Sequence, residues 1–209
     1  MRLGTLALAG WHSRRPHTHV VNGTPIVVLP GVFDPVMTKV GSWLSGVVRE
    51  LVRPGERWLE LGTGSGVVAC ALARAGALVV ATDIDDNAAR NTRFNAELLG
   101  LQLDVRVGDL YAPVAGERFD GIVANLPFWP GHAAGLPLGR AFAAGADFEL
   151  LRRFSAGYVD HAPRAYTVLS EAFARFPDAR AALGHDARLV RRTRYRGEWL
   201  DLFELGQRR

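Results

Sequence analysis

The chain has 209 residues, of which 48% are hydrophobic, and it carries a formal net charge of +4. This length favours a single domain that buries roughly 70% of its unfolded surface, so no disulfide framework or structural metal is needed to hold it together. The lone cysteine, Cys70, cannot form a disulfide within the chain. Because no apolar stretch reaches the ~18 residues of a membrane span, a transmembrane protein is excluded.

The first residues are apolar, but Gly4 and Thr5 interrupt the stretch and His12, Arg14 and Arg15 follow it closely. This pattern argues against a signal peptide and predicts a cytoplasmic protein. Lys39 is the one lysine among the 25 basic residues, so arginine carries nearly all the positive charge. Arginine binds phosphate in a bidentate manner, which permits a nucleic-acid partner, but GC-rich coding produces the same composition.

Residues 1–23 are interpreted as an N-terminal arm, and residues 24–209 as one domain. The arm contains His12, His17 and His19, which could suggest a metal site. Since no cysteine or acidic cluster joins them in the sequence, a solvated arm is the preferred interpretation. Asp34 and Pro35 would be a favourable N-cap and first helical residue, so the alternative interpretation of the stretch around them is that it starts a helix.

From Thr24 onwards, short β-branched runs alternate with longer amphipathic segments, a pattern that predicts strands and helices around a mostly parallel sheet. Seven strands are predicted, at Arg57–Leu61, Leu78–Asp83, Leu103–Gly108, Gly121–Asn125, Ala165–Leu169, Leu189–Tyr195 and Trp199–Leu205. Helices are predicted at Thr38–Leu51, Gly66–Ala75, Asn87–Leu99, Phe148–Asp160 and Glu171–Leu183. Because three residues separate the last two strands, these must form an antiparallel hairpin.

A glycine-rich turn follows the first of these strands and opens a helix, with the sequence ELGTGSG from Glu60 to Gly66. Glycines at Gly62, Gly64 and Gly66 allow a tight turn and close approach to a ligand, while the helix N-terminus presents unpaired amides next to Thr63. A nicotinamide fingerprint would need a third glycine where Val67 stands. An ordinary strand-to-helix connection is the alternative interpretation.

Acidic residues end the next two strands. Asp83, with Ile84 beside it, follows the second strand, where a carboxylate can accept hydrogen bonds from both hydroxyls of a ribose. Asp85 and Asp86 are predicted to cap the following helix. The third strand is followed by Asp109 and Leu110, and for Asp109 a turn-forming role is nearly as well supported.

The fourth strand leads into Asn125, Leu126, Pro127 and Phe128. If the Asn125 carboxamide oxygen and the Leu126 carbonyl accept the N–H bonds of an amine or amide, its nitrogen is oriented and its lone pair becomes more available. Pro127 would fix the turn, and Phe128 would stack on a planar group. The alternative is a structural Asn-Leu-Pro turn with a core phenylalanine.

These motifs resemble those of class I methyltransferases that use S-adenosylmethionine. The ELGTGSG turn resembles their motif I, and the residues from Asn125 to Phe128 match their (N/D/S)(P/I/L)P(Y/F/W/H) amino-group motif. The segments Leu29–Phe33 and Val40–Ser42 resemble the upstream PGVF and VGS of the small-domain family. That family includes ribosomal-RNA guanine N2 methyltransferases and release-factor glutamine methyltransferases, and its PGVF segment helps to cover the cofactor.

The resemblance implies an α/β fold, with a seven-stranded Rossmann-like sheet that is mostly parallel and ends in an antiparallel hairpin. It implies that S-adenosylmethionine is bound through Glu60, Gly62, Thr63, Gly64, Gly66, Asp83, Ile84, Asp109, Leu110 and Asn125. Asp109 would meet the adenine amino group, with Leu110 adding a backbone contact. The four residues from Asn125 to Phe128 would carry the chemistry.

The methyl acceptor remains open at this stage. Leucine at position 126 departs from the NPPY of release-factor enzymes and the NPPF of guanine enzymes, and it resembles the NLPY of ribosomal adenine dimethyltransferases. The leading hypothesis is N-methylation of a macromolecule, either an RNA base or a protein glutamine. The alternatives are a small metabolite as acceptor and a cofactor-binding scaffold without chemistry.

Two further segments have competing interpretations. The stretch Trp129–Ala146 is rich in glycine and alanine and is predicted to be a lid over the site, with a tolerated insertion as the alternative. The arginines of the penultimate strand either protect a sheet edge, which is preferred, or follow a phosphate backbone; they are Arg191, Arg192, Arg194 and Arg196.

Overall fold

The computed structural model describes residues 15–37, 39–127, 145–170 and 177–206. Within these residues the strands are β1 His17–Val21, β2 Thr24–Val28, β3 Arg57–Leu61, β4 Leu78–Asp83, β5 Leu103–Val107, β6 Gly121–Ala124, β7 Ala165–Ser170, β8 Arg188–Tyr195 and β9 Glu198–Leu205. The helices are α1 Val40–Leu51, α2 Val67–Arg74, α3 Asp86–Leu98, α4 Glu149–Gly157 and α5 Pro177–Ala181. Short 3₁₀ turns lie at Ala112–Val114, Ala146–Phe148 and Tyr158–Asp160.

The seven strands from β3 to β9 form one sheet in the order β5-β4-β3-β6-β7-β9-β8. The five strands from β5 to β7 are parallel, and β9 pairs antiparallel with both β7 and β8. All seven predicted strands and the predicted C-terminal hairpin are confirmed. The chain runs outward from β3 to β5 and then returns to place β6 on the other side of β3. Ligands of open α/β sheets bind at such a reversal, beyond the carboxyl ends of the strands.

Two packed layers cover the faces of the sheet. One face packs against α1 and α2, with Trp58 and Leu44 fully buried there. The other packs against α4, where Leu151 and Phe154 are fully buried. A Cβ atom at Gly121 would lie 2.7 Å from the Trp58 ring, which explains why β6 begins with glycine. None of the helices within the described ranges is long and apolar enough to cross a membrane.

An additional hairpin, not predicted from the sequence, is formed by β1 and β2. The two strands pair antiparallel from His17–Val28 to Val21–Thr24 around the turn residues Asn22 and Gly23. Both turn residues have positive φ, at 49° and 76°, as a type I′ turn requires. The predicted boundary between arm and domain at residue 24 therefore divides a hairpin. The Asn22 side chain donates to the Ser42 carbonyl and to Ser45 Oγ, and thereby docks the turn onto α1.

Helix α1, predicted at Thr38–Leu51, begins at Val40, so the alternative interpretation of Asp34 and Pro35 as an N-cap and first helical residue is wrong. The Asp34 carboxylate accepts the Val36 N–H at 2.8 Å, and the Asp34 carbonyl accepts the Met37 N–H, so these residues form a turn. Residues at helix N-caps and in Asx turns use the same side-chain acceptor, which is why the local pattern did not distinguish the two.

Candidate functional site

The carboxyl ends of β3, β4 and β6 bring three of the predicted motifs side by side. In the sheet register, Leu61 pairs with Thr82 on one side and with Ala124 on the other. The residues that follow these strand ends start the glycine-rich turn, the Asp83 turn and the Asn125 motif. They therefore share one edge of the sheet, at the point where strand order reverses.

The glycine-rich turn, Gly62–Gly66, lies close against the end of β4. The amides of Gly62 and Thr63 both donate to the Thr82 carbonyl, at 2.9 and 3.0 Å. All three glycines of the turn have positive φ, and a Cβ atom at Gly66 would lie 2.9–3.0 Å from Thr92 on α3. Glycine is thus required at Gly66 both by the backbone conformation and by the close approach of α3.

Glu60 lies beneath this turn and is 2% exposed. Its carboxylate accepts a hydrogen bond from Thr63 Oγ1 at 2.6 Å and another from the Ala69 amide. Burial raises the pKa of Glu60 from 4.5 to about 8, although these two donors oppose the shift. The structure therefore gives Glu60 the role of holding the turn from below, and its predicted contact with a cofactor stays a prediction.

We expect Glu60 to make stability depend on pH. Because the pKa is raised in the folded state, this group contributes stability that is complete below about pH 4.5 and is lost as the pH rises through about 8. The thermal midpoint should fall by several degrees across this window, and Glu60→Gln, which stays neutral, should remove much of that slope. Scanning calorimetry at a series of pH values measures both proteins. Parallel pH profiles for the two would contradict the assignment.

Asp83 joins the end of β4 to the glycine-rich turn. Its Oδ2 accepts the Gly64 amide at 2.9 Å, and its Oδ1 accepts the Asp85 amide at 3.0 Å. Burial raises the pKa of Asp83 above its ordinary value. Ile84 beside it is 53% exposed. Asp85 caps α3 through the Asn87 amide, as predicted.

Asp109 and Leu110 follow β5 at the same edge of the sheet. Leu110 is buried at a positive φ of 46°, and its carbonyl lies 3.4 Å from Thr82 Oγ1. The Asp109 side chain is 43% exposed and pairs at 2.5 Å with Arg153 of α4. Arg153 was not among the predicted site residues. A ligand group that approaches Asp109 meets a carboxylate already oriented by this arginine.

The Asn125 motif lies directly against the glycine-rich turn. Leu126 is 3% exposed, and its Cδ2 atom lies 3.6 Å from the position of a Cβ atom on Gly62. Asn125 is half-buried, and among the described residues its carboxamide has no hydrogen-bond partner. Pro127 is the last described residue here. Phe128 and residues 129–144 of the predicted lid lie outside the described residues.

The PGVF segment, residues 29–33, is held over the start of α3 by asparagines that were not predicted. Asn87 Nδ2 donates to the Pro30 carbonyl at 2.7 Å, and Asn91 Oδ1 accepts the Leu29 amide at 2.8 Å. One turn further, Asn95 bonds both polar groups of Val27. Spacing by four residues places all three side chains on one helical face, which is the signal that could have identified them.

Two arginines of β8, the edge strand of the sheet, pair with carboxylates of the chain. Arg192 makes two bonds of 2.7 Å to Asp201, and Arg191 pairs with Glu50. These contacts favour the interpretation that the two arginines stabilise and protect a sheet edge.

Comparison with known proteins agrees with this geometry. A family model described as methyltransferase small domain matches residues 23–173. The ribosomal protein L11 methyltransferase of Symbiobacterium thermophilum is 45% identical over 80 residues, which are 38% of this chain and 26% of that protein. The release factor glutamine methyltransferase of Moorella thermoacetica is 37% identical over 121 residues, which cover 54% of this chain and 40% of the length of that enzyme.

Among solved structures, a T. thermophilus 16S rRNA N2 methyltransferase, in complex with AdoMet and guanosine, has the same fold. It has a TM-score of 0.64 at 22% identity, over 93% of this chain and 50% of that one. The region matched to the ribosomal-protein enzyme spans about a quarter of that relative's length. Since the family model covers well over half of this sequence, the chain belongs to the methyltransferase small domain family.

Proposed function

We propose that this protein transfers a methyl group from S-adenosylmethionine to a nitrogen of a planar exocyclic amine or amide in a macromolecule. The observation that carries the proposal is the closeness of the Asn125 motif to the glycine-rich turn: Leu126 Cδ2 lies 3.6 Å from where a Cβ atom on Gly62 would be, and Asp83 is bonded to the Gly64 amide. The motif proposed to orient the acceptor nitrogen and the turn proposed to bind the nucleoside would then border the same space, beyond the carboxyl ends of β3 and β6. Methyl transfer requires this proximity.

The residues at this edge fit the chemical groups of S-adenosylmethionine. Asp83 has two carboxylate oxygens, each with capacity beyond its one backbone amide, so it can still accept ribose hydroxyls. The N-terminus of α2 lies at the end of the glycine-rich turn, and a helix N-terminus suits a carboxylate. Ile84 offers an exposed apolar surface beside Asp83 for a flat base. The bound cofactor would supply an electrophilic methyl group.

Asn125 would act on the acceptor. Its carboxamide oxygen and the Leu126 carbonyl would accept the two N–H bonds of the target nitrogen, orienting it and increasing the availability of its lone pair. These bonds become more polar as the nitrogen becomes tetrahedral, so their stabilisation is greatest in the transition state. Phe128 is proposed to stack on the planar group that carries this nitrogen.

The proposed acceptor is an RNA base or a protein glutamine. The proteins similar to this chain include a ribosomal protein methyltransferase, a release factor glutamine methyltransferase and a 16S rRNA methyltransferase, so both classes of acceptor occur among them. This link to the translation machinery supports a cytoplasmic location as part of the proposal.

Cofactor binding is tested first by isothermal titration calorimetry with S-adenosylhomocysteine, the product form. We expect one site per chain and no comparable binding of NADH, because the turn lacks the glycine spacing of a nicotinamide fingerprint. A preference for NADH would overturn the proposal.

A further inference from the structure

We propose that His17, His19 and Asp34 form a binding site for one divalent transition-metal ion, with Zn²⁺ as the first candidate. Asp34 Oδ2 lies 3.0 Å from His17 Nε2 and 2.8 Å from His19 Nε2. Ligand atoms of all three residues lie within 4.8 Å of one another. A single carboxylate thus joins two of the three histidines of the arm, which was not predicted from the sequence, and His12 lies outside the described residues.

The fold brings these residues together from two separate segments. His17 and His19 are two positions apart on β1, so their side chains leave the same face of the hairpin. Asp34 follows the PGVF segment and is 3% exposed. Its Oδ1 is fixed by the Val36 amide at 2.8 Å, which leaves Oδ2 directed at the two rings. No local sequence pattern around the histidines could have shown this acid.

The contact on the far side of the His17 ring suits a metal-bound histidine. His17 Nδ1 lies 3.1 Å from the Arg15 carbonyl oxygen. An Nδ1–H that donates to this oxygen leaves the Nε2 lone pair directed at Asp34 Oδ2, where an ion would be bound. A backbone carbonyl on the second nitrogen is also the arrangement that orients metal-bound histidines.

The ligand set suits zinc and similar ions. Imidazole is a borderline ligand and carboxylate a hard one, and zinc binds both; zinc sites with three protein ligands keep a fourth position for water. The side chains of His17 and His19 are 22% and 27% exposed, so an ion can enter from solvent. Zn–N and Zn–O bonds of about 2.0–2.1 Å place ligand atoms about 3.3 Å apart. The two histidine–Asp34 separations, now 3.0 and 2.8 Å, need to lengthen by only a few tenths of an ångström, and the two imidazole nitrogens, which lie within 4.8 Å of each other, need to reach the same spacing.

A bound ion would join the β1–β2 hairpin to the PGVF segment, which Asn87 anchors to α3 through Pro30. We therefore expect the ion to stabilise the fold.

The test uses the full chain, stripped of metal with a chelator, and Zn²⁺ alone as the probe. Competition with a chromophoric chelator measures affinity and stoichiometry, and thermal unfolding measures stabilisation. We expect one Zn²⁺ per chain and a rise in the melting temperature. His19→Ala should weaken binding at least about a hundredfold, the upper end of the loss caused by removing an outer-shell partner. His17→Ala should have the same effect.

His185→Ala is the matched control, because His185 is an exposed histidine on the chain's surface outside this cluster. It should bind zinc as the unmodified protein does. Circular dichroism without zinc establishes that each variant is folded. The proposal is overturned if the unmodified protein does not compete for Zn²⁺, or if both His17→Ala and His19→Ala bind it unchanged. Hydrogen bonds between the two rings and Asp34 would then account for the cluster. Neither result depends on methyl transfer.

Discussion

Asn125→Ala should lower methyl transfer by on the order of a hundredfold while leaving the affinity for S-adenosylhomocysteine nearly unchanged. The magnitude follows by analogy with the loss of a single hydrogen-bond donor from an oxyanion hole. The selectivity follows from position, because Asn125 comes directly after β6 and is not bonded to the glycine-rich turn, whereas Leu126 packs on it. A group that acts mainly in the transition state affects turnover more than ground-state binding.

Asn125→Asp is the matched control for this variant. Aspartate keeps two acceptor oxygens at the same position and is one of the residues that the amino-group motif allows, so it should retain more activity than alanine. Turnover and S-adenosylhomocysteine affinity are measured side by side for all three proteins. If Asn125→Ala keeps most of its activity, or loses it only in proportion to cofactor affinity, the motif is a structural turn.

Asp83→Ala should weaken S-adenosylhomocysteine binding by about 1.5 to 3 kcal/mol, the usual value of hydrogen bonds to a charged group, or roughly ten- to a hundredfold. The variant loses the acceptor proposed for ribose and also the carboxylate that holds the Gly64 amide at 2.9 Å. Both losses act on the same site, since Gly64 lies in the turn that would face the cofactor.

Asp86→Ala provides the comparison for Asp83→Ala. Asp86 is an exposed carboxylate at the start of α3, three residues further along the chain. Its removal changes the net charge equally but should leave affinity within about twofold, because a charge effect alone is screened by solvent. Calorimetry compares the two variants with the unmodified protein. Equal affinities for Asp83→Ala and the unmodified protein would remove Asp83 from the proposed site.

The parallel sheet could be predicted from sequence because its signals are local. β3 and β4 have the predicted bounds, Arg57–Leu61 and Leu78–Asp83, since each is a short apolar run closed by a turn signal. The β1–β2 hairpin was missed even though Asn22 and Gly23 are a strong hairpin signal. The sequence of β1, HTHVV, did not predict a strand because three of its five residues are polar, so it shows no alternation of apolar and polar residues.

The arrangement of the site depended on contacts that no local pattern contains. The spacing of Glu60 and the glycines predicted a ligand-binding turn, but only the fold shows that Glu60 is buried under it. Arg153, which orients Asp109, is 44 residues away in the chain. Asp34 is 15 residues from His19. Such pairs follow from tertiary packing, so the sequence predicted the residue types and not their partners.

The most direct test of the proposed function is transfer of label from methyl-radiolabelled S-adenosylmethionine into a cell lysate, followed by separation into RNA, protein and small molecules. Asn125→Ala, assayed in parallel, controls for label transferred by enzymes already in the lysate. We predict that label enters the RNA or the protein fraction with the unmodified chain and stays near background with the variant. Label found in the small-molecule fraction, or in no fraction above that of the variant, would contradict methylation of a macromolecule.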